Sequence, residues 1–145
     1  HAMGETLPDP SNRVSIDRSQ TDEWGMPMVS IECEWKENDE AMCEDMLTTG
    51  AEILESMGVK NIEATDSKQA PGLDIHEMGT VRMGRDPKTS VLNGNNQVHT
   101  CKNVFVTDGA SMTSSACQNP SLTYMALTAR ACNFAVESLK RGDLK

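Results

Sequence analysis

The sequence predicts an α+β fold: a small, mostly antiparallel sheet with a packed helix, then a buried strand and a long C-terminal helix. Three observations predict it. "MVSIECEW" (28–35) alternates apolar and polar residues, which is typical of a strand with one wet face. Apolar residues then recur at helical spacing after Asn38. Finally, the continuous apolar run "NVFVTDGA" (103–110) precedes an Ala-rich helical segment.

The first half, up to about residue 70, is predicted to form a hairpin and a helix. "NRVSID" (12–17) is a strand candidate, and the turn residues of "SQTDEWGMP" predict its hairpin connection to the 28–35 strand. Asn38 is predicted to be the N-cap of the helix, which Gly58 would end. "KNIEATD" (60–66) is a further strand candidate. The apolar stripe of the helix is expected to pack in the core and comprises Met42, Met46, Ile53, Leu54 and Met57.

The second half is predicted to contain a strand at 103–110 that is buried on both faces, because its apolar run does not alternate. Asn119 is predicted to be the N-cap and Pro120 the first residue of a long helix that stops near Gly142. This helix is apolar around most of its circumference, which indicates burial in a larger body. On its own, the chain is therefore expected to expose apolar surface and to self-associate.

Composition narrows the classes of function. The net charge of −9 argues against nucleic acid and anionic membrane surfaces as partners. No apolar run approaches the roughly 18 residues that a membrane span needs. The five cysteines are odd in number and lack CxxC spacing, which favours reduced thiols in a cytoplasmic-type protein. Residues 1–3 are typical of a cloning scar, so the native segment is expected to cover residues 4–145.

"LDIHEMGTVRMG" (73–84) is unlike a core element and is the candidate site. Gly79 and Gly84 allow a backbone to approach a ligand, and His76 can accept a proton near neutral pH. A histidine near glycines is also often structural. Other side chains have ordinary explanations: an ion pair for Arg82, a turn for Asp108, a small filler for Cys117 and an exposed loop for His99. A zinc set of His76, His99, Cys101 and Cys117 matches no structural zinc spacing, so no metal is expected.

Three segments in one order carry a family resemblance: "HEMGTVRMG", "VFVTDGA" and "NPSLTYMALTARA". The series resembles the C-terminal region of the glucose–methanol–choline (GMC) oxidoreductases, which are FAD-dependent alcohol and sugar oxidases and dehydrogenases. The resemblance is strong from about residue 74 to 139, and "LPDPSNRVSID" resembles the end of the family's substrate domain. It implies that residues 4–70 belong to the substrate domain, whereas residues 71–145 supply the catalytic loop and the C-terminal part of the FAD domain.

The resemblance also implies site residues. His76 would be the base that removes the proton of a substrate hydroxyl while a hydride passes to flavin N5. Asn119 would share that hydroxyl, so the catalytic residues would be a His–Asn pair. Asp108 and Gly109 would lie against the ribityl and phosphate region of FAD. The backbone around Gln118 and Pro120 would approach the pyrimidine end of the flavin.

The family's Gly-x-Gly-x-x-Gly fingerprint, which seats the FAD pyrophosphate on a helix end, does not occur in these 145 residues. We therefore expect the chain to be a C-terminal fragment of a longer enzyme, with an N-terminal FAD-binding part as its missing partner. Alone, it is expected to be inactive and not to retain FAD. The alternative is a stand-alone, non-catalytic binding or interaction module that kept the scaffold.

Overall fold

The computed structural model describes residues 1–73 and 75–144. They form two compact units, His1–Asp74 and Ile75–Lys145, each containing a two-stranded antiparallel sheet and one long helix. The predicted α+β class is confirmed. Residue 74, where the strong family resemblance begins, and residue 145 lie outside the described part of the chain.

The first unit begins with the predicted hairpin. Strand β1 (Arg13–Thr21) pairs antiparallel with β2 (Pro27–Glu32). The carboxylate of Asp22 accepts the N–H groups of Trp24 and Met26 at 3.0 and 2.8 Å, which closes the connection. The turn chemistry recognised in the sequence thus sets the register of the hairpin.

The apolar face of this hairpin is not covered. Val14 lies opposite Ile31 and Ile16 lies opposite Val29, so the predicted alternation is present. Val29 and Ile31 are nevertheless 63% and 71% exposed, and the strand ends at Glu32 instead of residue 35. The expected half-buried face is wrong for this chain, because a two-stranded sheet offers no second layer of its own.

Helix α1 (Glu37–Ser56) starts earlier than predicted. Its N-cap is Lys36, not Asn38, because the Asp39 carboxylate accepts the Lys36 N–H at 2.9 Å. Gly58, with φ +82°, ends the helix as predicted: its N–H bonds the Glu55 carbonyl at 2.9 Å in a Schellman arrangement.

The apolar stripe of α1 is only partly packed. Met42 and Met46 are half-buried, as expected, but Ile53, Leu54 and Met57 are exposed. The strand predicted at residues 60–66 is also wrong, because that segment has no regular structure. Asn61 takes a φ of +57°, which breaks an extended backbone.

In the second unit, β3 (Gln97–Val98) pairs antiparallel with β4 (Cys101–Phe105). A strand is present where one was predicted, but its predicted burial on both faces is wrong in this chain, since residues 101–104 are exposed and, in the described part of the chain, the short β3 alone pairs with them. The core lies elsewhere: Leu92 is fully buried between bridges to Met83 and Val98.

Helix α2 (Ser121–Arg141) packs on the end of β4 through an edge-to-face contact of Phe105 with Phe134, with ring centroids 6.3 Å apart. Its N-cap is Pro120 and not the predicted Asn119, which lies one residue before the observed cap. Gly142, with φ +79°, ends it as predicted. Among the described residues, no helix is long and apolar enough to cross a membrane.

Candidate active site

The loop after His76 runs along a 3₁₀ turn at Gly109–Ser111 and is fixed to it by backbone hydrogen bonds. The N–H groups of Gly79, Val81 and Met83 donate in order to the carbonyls of residues 109, 110 and 111, at 3.4, 3.0 and 2.9 Å. Alternate residues of the loop bond consecutive residues of the turn, so the register between them is fixed. The His76 loop and the Asp108–Gly109 pair, predicted separately, therefore lie side by side.

Gly109 allows the closest approach within this arrangement. It is buried, and a Cβ at this position would lie 2.7 Å from the Glu77 carbonyl oxygen and 2.9 Å from Tyr124 Oη. Backbone atoms do not yield to such a contact, so only glycine fits. Gly79, with φ +86°, supplies the left-handed turn that directs the loop past residue 109.

His76 is half-buried and has a φ of +72°. Left-handed backbone is uncommon for a residue with a side chain, and such strained positions cluster at functional sites. Within residues 1–73 and 75–144, no hydrogen bond involves the imidazole of His76. Neither ring nitrogen is therefore engaged by a hydrogen bond within the described residues.

Asp108 has the turn-forming role considered from the sequence. Its Oδ1 accepts the N–H of Ala110 at 3.0 Å and caps the 3₁₀ turn. The side chain remains exposed, so its second oxygen can face a ligand.

The start of α2 carries the remaining predicted site residues. Gln118 and Asn119 are exposed, and Pro120 is buried as the N-cap. No hydrogen bond joins Gln118 or Asn119 to the His76 loop in the described part of the chain. Tyr124 connects the start of α2 to the His76 loop. Its N–H bonds the Pro120 carbonyl at 3.0 Å and its hydroxyl donates to Met78 Sδ at 3.5 Å.

Tyr124 was not identified from the sequence. Burial, and then the nearby carboxylates of Asp108 and Glu77, raise the pKa of its phenol above the ordinary value of 10. The hydroxyl therefore stays protonated over the neutral range and remains a donor. An aromatic residue within an apolar helix gives no sequence signal that its hydroxyl donates to a distant loop.

The loop at residues 84–99 is itself fixed by side-chain hydrogen bonds. Asn96 is fully buried with φ +62°; its Nδ2 donates to the Val106 carbonyl at 3.0 Å and its Oδ1 accepts from Arg130 at 3.1 Å. Asn96 was not identified from the sequence, although the turn-rich "LNGNNQ" (92–97) could have indicated a fixed loop here. His99, expected to be exposed, is half-buried with Nε2 3.0 Å from Ser90 Oγ. That expectation is wrong because the loop folds back on itself.

The ordinary explanations of two other side chains change. Arg82 donates to the Thr89 carbonyl at 2.7 Å instead of forming the expected ion pair, and Cys117 is exposed, so it fills no core here. Within the described ranges, no three potential metal-ligating side chains cluster.

The donor set suits a flavin. The first N–H groups of α2 have no intrahelical acceptor, and the amide side chains of Gln118 and Asn119 precede them. Amide donors at the positive end of a helix match an electron-rich ring edge that gains negative charge. Because Gly109 and the Asp108 carboxylate lie beside the His76 loop, the residues present fit FAD as a cofactor.

Comparison with known proteins identifies the class. The GMC oxidoreductase family model matches residues 8–128, so the chain belongs to the GMC oxidoreductases, as the motifs indicated. It is 35% identical over 135 residues to the 2-methyl-1,2-propanediol dehydrogenase of Mycolicibacterium austroafricanum, covering 91% of this chain and 24% of that protein.

Other relatives include oxidases. The chain is 36% identical over 124 residues to the paromamine 6'-oxidase of Streptomyces fradiae, covering 86% of this chain and 23% of that protein. It is 24% identical over 140 residues to the pyranose 2-oxidase of Lyophyllum shimeji, covering 97% and 23%. The chain therefore spans about a quarter of the length of these relatives. The family is generally FAD-dependent, and its members here are alcohol or sugar oxidases and dehydrogenases.

Proposed function

We propose that this chain supplies the catalytic loop of an FAD-dependent GMC oxidoreductase that oxidises an alcohol or sugar hydroxyl. The observation that carries the proposal is the set of three backbone hydrogen bonds between the His76 loop and the Gly109–Ser111 turn. They hold the candidate base against candidate cofactor-binding residues that are distant in sequence.

His76 would accept the proton of the substrate hydroxyl, since an imidazole that no described residue hydrogen-bonds can serve as a general base. The C–H electron pair of the same carbon would leave as hydride, and bound FAD supplies the acceptor, flavin N5. The substrate carbon would become a carbonyl group, the proton would be on His76, and the hydride with its two electrons would be on the cofactor, so the reaction balances.

Asn119 would donate its amide to the substrate oxygen and orient it, but an amide cannot take up the proton. The first N–H groups of α2, with the backbone at Gln118 and Pro120, would favour negative charge at the adjacent ring edge. Asp108 and Gly109 would lie along the ribityl and phosphate part of FAD.

The relatives support a substrate class, since they include a 2-methyl-1,2-propanediol dehydrogenase, a fructose dehydrogenase large subunit and a pyranose 2-oxidase. We propose an alcohol or sugar hydroxyl for this protein too. The dinucleotide-binding part would come from a further segment, and the failure of the isolated chain to retain FAD stays a prediction.

The test is anaerobic stopped-flow reduction of the flavin in the FAD-loaded full-length enzyme. His76→Ala should slow reduction by roughly 100- to 10,000-fold, the usual range for loss of a positioned base. FAD content should remain near that of the wild type. The matched control is His99→Gln, which alters the other folded histidine, bonded to Ser90 and outside the proposed site.

Wild-type reduction rates in His76→Ala across pH 6 to 9 would remove His76 as the base. If the FAD-loaded wild type transfers no hydride from any alcohol or sugar, the non-catalytic binding module becomes the better description.

A further inference from the structure

We infer that Tyr124 is a positioning residue for His76: its hydroxyl group sets the separation between the His76 loop and the helix start that carries Asn119. The inference deepens the proposed function and rests on it. It assigns a role to a side chain that neither contacts the reacting atoms nor belongs to the predicted site.

The geometry at Gly109 is the first support. A Cβ on this residue would lie 2.9 Å from Tyr124 Oη, 3.1 Å from Met78 Sδ and 2.7 Å from the Glu77 carbonyl oxygen. The phenol hydroxyl, the thioether and the backbone next to His76 therefore meet over one glycine. The hydroxyl group fills the space that residue 109 leaves open.

The second support is the way Tyr124 is anchored. Its N–H bonds the Pro120 carbonyl at 3.0 Å, within the first turn of α2. The side chain is half-buried and has only two rotatable angles, so little freedom separates the helix backbone from the hydroxyl. Asn119 directly precedes this anchored turn, so a shift of Tyr124 would move both the turn and Asn119.

The third support is at the other end of the contact. Met78 is two residues after His76, and its Sδ lies 3.5 Å from Tyr124 Oη. Methionine is flexible, so its side chain alone would not fix the loop. The donated hydrogen bond selects one arrangement of the sulfur and, through it, one position of the loop that begins at His76.

The donor in this contact persists with pH. A thioether can only accept, so the hydroxyl must be protonated. Burial, followed by the carboxylates of Asp108 and Glu77, raises the pKa of Tyr124 above 10. The positioning should hold over the whole range in which an imidazole base works.

Tyr124→Phe in the FAD-loaded full-length enzyme removes only the hydroxyl. We expect the limiting rate of flavin reduction to fall roughly 3- to 10-fold, the scale of one modest hydrogen bond. The substrate dissociation constant, the FAD content and the shape of the pH–rate profile should not change, because the base and the cofactor site remain. The matched control is Thr128→Val, which deletes a half-buried hydroxyl four residues later in the same helix and should leave the rate unchanged.

Met78→Leu removes the acceptor and keeps the volume, so it should reproduce the Tyr124→Phe effect. In the double variant the two losses should not multiply, because one interaction is removed in either case. Multiplicative losses would overturn the inference, as would a wild-type rate in Tyr124→Phe. A rate that falls only in proportion to lost FAD or lowered melting temperature would also overturn it, by showing a purely structural role.

The positioning role of Tyr124 and the proposed function can be overturned by different results. A wild-type rate in Tyr124→Phe together with a slow His76→Ala enzyme overturns only the positioning role. Wild-type rates in His76→Ala overturn the proposed function itself.

Discussion

The two units of the chain differ in where their stability lies. The first unit has more regular structure, a hairpin and a 20-residue helix, yet its hairpin presents Val29 and Ile31 at 63% and 71% exposure. The second unit has two short strands and a 3₁₀ turn besides its helix, yet it contains Leu92 at 0% exposure and Ala131 at 1%.

The difference shows that regular structure and burial are separate properties. The hairpin satisfies its backbone groups by pairing, so it can form with its apolar face uncovered. The loops of the second unit satisfy their polar groups through backbone bonds between loop and turn and through side-chain contacts such as those of Asn96. A loop built like this holds its side chains in one geometry, which is what a catalytic loop requires.

The largest effect that would sharpen this comparison is on stability. Leu92→Ala should lower the free energy of unfolding of the second unit by about 2–5 kcal/mol, since it empties a fully buried site. Ile31→Thr, which keeps a β-branched side chain at an exposed position, should change the stability of the first unit by less than about 0.5 kcal/mol. Urea-dependent hydrogen exchange at amides of each unit measures both.

The comparison fails if Ile31→Thr costs as much as Leu92→Ala, because the hairpin face would then be a core after all. Leu139→Ala is the control within the second unit, since that leucine is 67% exposed and should behave like Ile31.

Local elements of the fold were predictable because their signals are local. The hairpin, the two helices and their glycine stops follow from alternation, helical spacing and left-handed residues at Gly58 and Gly142. The first residues of the helices differ from the predicted ones. At α1 the difference arises because the Asp39 carboxylate accepts the Lys36 N–H. Burial was not predictable, because an apolar pattern shows which face of an element is apolar and does not show which other element packs against it.

The site was predictable only in part. The motifs indicated His76, Asp108 and Gly109, and the loop contacts place these segments together. Roles for them, and for Gln118, Asn119 and Pro120, remain proposals. Tyr124 and Arg130 were missed because their roles depend on partners 46 and 34 residues away in sequence. No periodicity encodes such contacts.

A smaller effect concerns the exposed apolar stripe of α2, whose large members are Leu122, Met125, Val136 and Leu139. Successive members are 3, 11 and 3 residues apart, so all four lie on one face of the helix. We predict that the isolated chain self-associates through this stripe. Met125→Gln with Leu139→Gln should weaken association roughly tenfold or more, since each buried side chain contributes about 1.5–3 kcal/mol. Sedimentation equilibrium over a concentration range measures this.

Thr123→Ser, exposed on the same helix and turned by about 100° or more around its axis from every member of the stripe, is the control and should leave association unchanged. A wild-type chain that stays monomeric at high concentration and binds no hydrophobic dye would contradict the prediction.

The smallest expected effect is a difference between the two units in how their amide NMR signals depend on pH. In the first unit, the Asp17 carboxylate accepts the Ser19 hydroxyl and N–H at 2.6 and 2.8 Å, and these bonds, the hydroxyl first, lower the pKa of Asp17 below 3.8. A lowered folded-state pKa stabilises the structure above the unfolded value, and this contribution disappears as the pH falls through the folded value. The Ser19 amide signal should therefore shift below pH 3.8, where the irregular register between Asp17 and Thr21 loses its support.

The buried Asn96 of the second unit provides the contrast. Its side-chain amide bonds the Val106 carbonyl and the Arg130 side chain instead of a carboxylate, so its signal should stay constant over the same range. Two-dimensional NMR from pH 2 to 6 measures both signals, and Asp17→Asn should abolish the Ser19 transition. A Ser19 midpoint above 3.8 would show that the carboxylate is not stabilised in the hairpin, because accepted hydrogen bonds can only move it lower. A parallel shift of the Asn96 amide would show that acid loosens both units alike, and exposed local bonds would then no longer distinguish the hairpin from the buried loop.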